Sequence, residues 1–110
     1  MDIDVRADYY YFLRGKVKVA KGDLDGAISD YSKAIKLFPN YDVAYECRGV
    51  AKKAEGDLDG AVADYSKAIE LNPKLKVAYI DRGNVKKAKG DQAGADADFA
   101  KAASIKDPCP

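Results

Sequence analysis

A chain of 110 residues is long enough for one hydrophobic core and too short for two. With 47% hydrophobic and 34% charged residues it is too apolar to stay disordered, and no apolar run approaches the roughly 20 residues that a bilayer requires. Nineteen basic against 18 acidic side chains leave a net charge of +1, no field to gather nucleic acid or an anionic membrane, and with no histidine the usual general base and commonest metal ligand are missing.

In chain order, helices are expected over residues 4–21, 24–37, 42–55, 58–71, 76–89 and 92–105. The first carries the apolar run Tyr9-Tyr10-Tyr11-Phe12-Leu13 and stops at Gly22-Asp23, where Gly accepts the left-handed backbone that ends one helix and Asp caps the next. The second stops at Pro39, which has no N–H donor and disfavours helical backbone in the residue before it. The third turns at Gly56-Asp57 into a fourth that places Leu58, Ala61, Val62, Tyr65, Ala68 and Ile69 on one face before Pro73. The fifth and sixth repeat these events through Gly90-Asp91 to Pro108.

The repetition has a fixed period of 34 residues: Tyr11, Tyr45 and Tyr79 obey it, as do Gly15, Gly49 and Gly83, and Ala27, Ala61 and Ala95. Pro108 comes one residue late, and the third copy is degraded relative to the first two, which share Gly-Asp-Leu-Asp-Gly-Ala and Asp-Tyr-Ser-Lys-Ala-Ile. The repeats fall at about 8–41, 42–75 and 76–109 within a single domain covering 1–110. The small residues would let the two helices of a unit approach closely, with Tyr31, Tyr65 and Phe99 wedged between units. One hairpin cannot bury its apolar face, so the copies must stack. The expected fold is all-α, a right-handed superhelix of three helix-turn-helix units.

This pattern of Tyr, Gly, Gly-Asp, Ala, aromatic, Ala and Pro resembles the tetratricopeptide repeat over residues 8 to 108. Two departures stand out. Arg14, Arg48 and Arg82 replace a usual Leu, and Lys18, Lys52 and Lys86 replace a usual aromatic, at positions expected to be partly buried. Asp30, Asp64 and Asp98 precede the wedge aromatics, so a ladder of Arg-to-Asp ion pairs between helices is the reading favoured over an anion site.

The resemblance implies that ligands lie in a concave groove lined by the first helix of each unit. That face would present Tyr9, Phe12, Leu13, Lys16 and Val19, then Val43, Glu46, Cys47, Val50 and Lys53, then Val77, Ile80, Asp81, Asn84 and Lys87. The expected ligand is an extended or helical peptide with apolar anchors and some acidic groups. Against this, Tyr9, Phe12, Val43 and Val77 could serve inter-helix packing alone, and the lysines could form a solvated face. The family's chaperone-tail subgroup clamps a carboxylate with Lys, Asn, Asn, Lys and Arg; the matching positions here are Phe12, Lys16, Cys47, Val77 and Asp81, which disfavours that ligand.

Repeat arrays normally end in a polar capping helix, and the chain stops soon after Pro108. Ala95, Phe99, Ala102 and Ile105 are therefore expected to be open to water, blunted by Gln92, Asp96 and Asp98, covered by further repeats of a longer protein, or covered by a second copy. The repeating Asp23, Asp25, Asp57 and Asp59 fit helix capping better than catalysis, and Gly22 to Gly26 lacks a phosphate-loop Lys-Ser or Lys-Thr. Cys47 and Cys109 are expected as free thiols, and Cys47 has no His to activate it. Met1-Asp2-Ile3-Asp4 has neither the basic nor the apolar stretch of a signal peptide, which makes the cytoplasm the expected compartment. The expected function is a non-enzymatic adaptor without cofactor or metal that holds a peptide or protein; the alternative is an end-to-end homodimer.

Overall fold

The computed structural model describes residues 6–106, which form six helices: α1 (Ala7–Ala20), α2 (Leu24–Leu37), α3 (Asp42–Ala54), α4 (Leu58–Leu71), α5 (Lys76–Ala88) and α6 (Gln92–Ser104). Pro108 and Cys109 lie outside the described residues, as does the expected start of the first helix at residue 4. Each helix packs on the next in sequence, and α3 also touches α1 and α5, giving a right-handed stack of three hairpins measuring 53 × 34 × 22 Å.

The turns follow local chemistry. Gly22, Gly56 and Gly90 take φ of 83°, 90° and 89°, the left-handed region that penalises any side chain. At the first turn Asp23 N donates to Lys18 O and Gly22 N to Val19 O, closing α1 in a Schellman motif. The Asp23, Asp57 and Asp91 carboxylates then accept from the amides of Gly26, Gly60 and Gly94, which starts α2, α4 and α6.

Close approach within each unit depends on the mid-helix glycine. A Cβ on Gly49 would sit 2.6 Å from Cε1 of Tyr65, and Gly15 and Gly83 meet Tyr31 and Phe99 in the same way. The rings thus lie first on the glycine of their own unit. They reach the following unit as well: Tyr31 clusters with Ala27 and Ala51, and Tyr65 with Ala61 and Val85. Phe99, which has no further unit against it among the described residues, is only half-buried.

The ion-pair ladder is present and richer than the spacing suggested. Asp30, Asp64 and Asp98 are buried, and each accepts two hydrogen bonds of 2.7–2.9 Å from Nε and Nη2 of Arg14, Arg48 or Arg82. Lys18, Lys52 and Lys86 add a second cation at 3.1, 3.1 and 3.2 Å. The guanidinium of Arg14 holds the Asp30 carboxyl below its ordinary range; at Asp98 burial pushes upward and is outweighed by Arg82 and Lys86. Nη1 of Arg48 and of Arg82 crosses to Ser32 and Ser66 of the preceding unit at 3.1 Å, so the ladder ties units together as well as hairpins. Each guanidinium also lies over a tyrosine ring three residues back, 5.3 Å for Tyr11, 5.4 Å for Tyr45 and 5.8 Å for Tyr79, which gives the 34-residue tyrosine spacing its cause.

The last helix corrects one expectation. Ala95 and Ala102 are buried and Ile105 is half-buried, because α5 alone covers side chains this small. Asp98 belongs to the ladder and does not blunt an outer face, whereas Gln92 and Asp96 pair with each other at the surface.

The seams between units differ in charge. Lys89 pairs with Asp59 across the second seam, but the equivalent Glu55 meets Asp25 across the first, and that neighbour, with burial second, pushes the Glu55 carboxyl up. Glu55→Lys is expected to raise the thermal midpoint by a few degrees at low salt, and the gain should fade near about 1 M NaCl, where the screening length is about 3 Å. An unchanged midpoint at both salt levels would refute the like-charge seam.

Candidate binding groove

The contacts of α3 with α1 and α5 bring the three first helices side by side. The 34-residue period then sets their side chains in rows, Tyr9–Val43–Val77, Phe12–Glu46–Ile80, Lys16–Val50–Asn84 and Val19–Lys53–Lys87. Tyr9, Val50, Val77 and Ile80 are exposed, the last two at 43% and 36%. Lys53, Asn84 and Lys87 are exposed, and so is Lys16, whose ammonium lies 5.6 Å from the Phe12 ring centre.

Two residues on that face serve the interior. Phe12 packs on Tyr41 at 5.0 Å and Tyr31 at 5.9 Å between ring centres, and Val43 rests on the cluster of Ala34, Ile35, Tyr41 and Ala44. For these two the packing reading describes what the side chains touch.

Between α1 and α3 the surface sinks into a pocket of about 240 Å³ lined by Lys16, Val19, Tyr31, Glu46, Cys47 and Val50. Its walls are largely apolar and its floor is acidic. Glu46 is only 8% exposed, its Oε1 accepts from Cys47 Sγ at 3.6 Å, and its carboxyl lies within hydrogen-bonding reach of the half-buried Asp81 on α5. Oδ2 of Asp81 and the hydroxyl of the fully buried Tyr65 are sealed from solvent with no hydrogen-bond partner among the described residues. Burial, then Asp81, pushes the Glu46 carboxyl up to about 8, although Lys16 and Cys47 act the other way. Burial and the nearby Glu46 push the Cys47 thiol up to about 12, so it stays a thiol at neutral pH and is a poor nucleophile. Among the described residues no three His, Cys, Asp or Glu side chains gather as metal ligands, and no helix is long and apolar enough to cross a membrane.

Stacked helical hairpins whose first helices share one open face define a repeat solenoid that presents a groove. The family model for the TPR repeat matches residues 15–56 and 51–90, and the chain belongs to the tetratricopeptide repeat family. No curated protein matches the chain. Among solved structures it is similar to MamA, at 27% identity and a TM-score of 0.88, over 90% of this chain and 58% of that one; the chain thus spans less than two thirds of MamA. It is similar to the TPR2B domain of yeast Sti1, solved in complex with pHsp70, at 29% identity and a TM-score of 0.85, over 87% of this chain and 77% of that one. The first TPR of Spaghetti (RPAP3), bound to the HSP90 peptide SRMEEVD, aligns with a TM-score of 0.89 over 94% of this chain and 82% of that one; at 23% identity this likeness concerns the fold alone.

Proposed function

We propose that this chain is a non-enzymatic adaptor that holds a peptide or protein segment in the groove formed by α1, α3 and α5. The observation that carries the reading is the exposure of Val50, Val77 and Ile80 beside an apolar-walled pocket on one continuous face, where burial against a ligand would remove them from water. TPR domains of the same fold hold an HSP90 peptide and pHsp70. An acidic tail like SRMEEVD suits this groove poorly, because Asp81 and Glu46 stand at its centre and would repel it. The remaining proposed contacts are Tyr9, Lys16, Lys53, Asn84 and Lys87, with Phe12 and Val43 as the floor that positions them.

Val77→Glu combined with Ile80→Glu is expected to lower capture of groove ligands at least about tenfold, roughly 1.4 kcal/mol, with unchanged helix content by circular dichroism. Capture retained in full would sink the groove assignment. Phe12 is unsuitable for this test, since its ring is part of the packed interior. The second reading, self-association, is favoured by Tyr9, Tyr10, Leu13 and Val17, all exposed on α1. It draws no support from α6, whose inward alanines are already covered, so the contact would join two α1 faces symmetrically. Sedimentation of the same samples separates the two, because a monomer at all concentrations leaves only the adaptor.

A further inference from the structure

We propose that the pocket between the α4–α5 loop and the end of α6 is a docking site for an acidic peptide segment, an apolar side chain flanked by carboxylates. None of its lining residues belongs to the groove rows, so it stands or falls independently of the groove reading.

The hollow measures about 390 Å³ and is lined by Pro73, Lys74, Lys101, Ser104, Ile105 and Lys106. Its frame is held without a ligand. Tyr79, only 6% exposed, donates its hydroxyl to Pro73 O at 3.1 Å, Lys74 N donates to Asn72 Oδ1 at 3.1 Å, and Ile105 N donates to Ala102 O at 3.1 Å. A ligand meets walls already in place, which keeps the ordering cost of binding low. The Pro73 ring and the half-buried Ile105 form the apolar part of the lining.

Charge decides the class of ligand. Lys74, Lys101 and Lys106 are exposed, and none of them pairs with a carboxylate among the described residues. The Ser104 hydroxyl is spent on Lys101 O, and Asp42, the carboxylate tied to this loop, already accepts from Asn72 Nδ2 and from the Val43 amide. The carbonyl groups that end α6 carry the equivalent of about half a negative charge, which three ammonium groups outweigh.

The repeat supplies a comparison inside the molecule. In the preceding unit Asn40, Lys67, Glu70 and Asn72 stand where Lys74, Lys101, Ser104 and Lys106 stand here, and Pro39 and Leu71 match Pro73 and Ile105. Glu70 pairs with Lys67 at 2.9 Å, so those positions are neutral together. Each of the three polar changes raises the charge by one, while the apolar part is kept. Three like charges around one hollow raise the potential there, and a ligand bearing carboxylates relieves it. With no arginine in the lining to fork a phosphoryl group, separate carboxylates along a peptide match three separate ammonium groups better than one compact dianion.

The probe is the acetylated, amidated octapeptide Gly-Ser-Glu-Glu-Leu-Glu-Glu-Ser, titrated into the full chain at about 20 mM NaCl. The amide resonances of Lys74, Ile105 and Lys106 should shift and saturate, and the affinity should fall at least about fivefold at about 0.3 M NaCl. Glutamine in place of every glutamate should weaken binding at least about tenfold, and serine in place of the leucine about threefold. Lys74→Gln combined with Lys106→Gln should weaken it at least about tenfold with unchanged helix content, whereas Lys67→Gln, one repeat earlier, should leave it as it is. No saturable shift, or equal binding of the glutamine or the serine peptide, overturns the site. Shifts at Val77 and Ile80 in place of these three would put the acidic segment in the groove and overturn this site alone. A peptide with one phosphoserine for the four glutamates that binds more tightly overturns the carboxylate ligand. Asp107 follows Lys106 in sequence and lies outside the described residues; binding seen only in Asp107→Asn would mean that the lysines serve the chain's own tail, which overturns the docking of a partner.

Discussion

Arg48→Ala is expected to cost about 3 kcal/mol, the low end of what removing one partner of a buried ion pair costs, because Lys52 stays beside the stranded Asp64. The alanine removes two bonds to Asp64, the bond to Ser32 and the stacking on Tyr45 in one step. Against a total stability of about 5–15 kcal/mol this is a large fraction, read as a shift in denaturant midpoint at pH 7. Arg14→Ala should cost less, since that side chain is 39% exposed against 19% for Arg48 and its Nη1 bonds Tyr10 of its own helix where Arg48 bonds Ser32 of another unit. The double change Arg48→Met with Asp64→Leu should recover most of the loss, since matched apolar replacement of a buried pair is often neutral. A double variant as unstable as the sum of its singles would show that the ladder does not act as a pair. The acid side follows from Asp30 and Asp98, whose folded values lie below the ordinary carboxylate range: their stabilisation is present above about pH 4 and is lost as pH falls through the folded values.

The helices were legible because their boundaries are local. Gly22-Asp23, Pro39, Gly56-Asp57, Pro73 and Gly90-Asp91 each act within a few residues, and the structure starts or ends its helices beside each of them. The ladder was legible for a different reason: three arginines at half-buried positions, each 16 residues from an aspartate, have few other ways to be satisfied. What stayed hidden depends on the angle between hairpins. Nothing in the spacing says that Ser32 and Ser66 would meet the arginine of the next unit, or that Tyr11 would lie under Arg14. The burial of Ala95 and Ala102 was missed because side chains this small are covered by one neighbouring helix, whereas the larger Phe99 and Ile105 stay only half-buried. The acidic pair was missed because Glu46 and Asp81 are 35 residues apart, one more than the period, and meet diagonally across neighbouring repeats.

Glu46→Gln is expected to stabilise the protein at alkaline pH and to change nothing near pH 4. Burial and Asp81 raise the folded Glu46 carboxyl to about 8, while in the unfolded chain it titrates near its ordinary 4.5. Below that ordinary value both states hold the proton and the group is silent. As pH rises the unfolded chain gives up its proton first, so the wild type loses stability by up to about 1.4 kcal/mol per pH unit until the folded group ionises as well. Glutamine keeps the shape and hydrogen-bonding of the protonated acid and has no proton to lose. The gain should therefore grow between about pH 5 and pH 8 and level off above, reaching on the order of 3 kcal/mol for a side chain this well buried. Asp30 and Asp98 titrate below this window and the Cys47 thiol above it, and the raised Glu55 carboxyl is common to both proteins, so the difference in slope between wild type and Glu46→Gln belongs to Glu46 and its neighbour. Removing the neighbour instead, by Asp81→Asn, should leave only the burial part of the shift and flatten the slope without abolishing it. Denaturant midpoints of wild type and both variants from pH 4 to 9 decide the matter, at about one-unit steps. Parallel curves for wild type and Glu46→Gln would mean that Glu46 is already ionised in the folded chain.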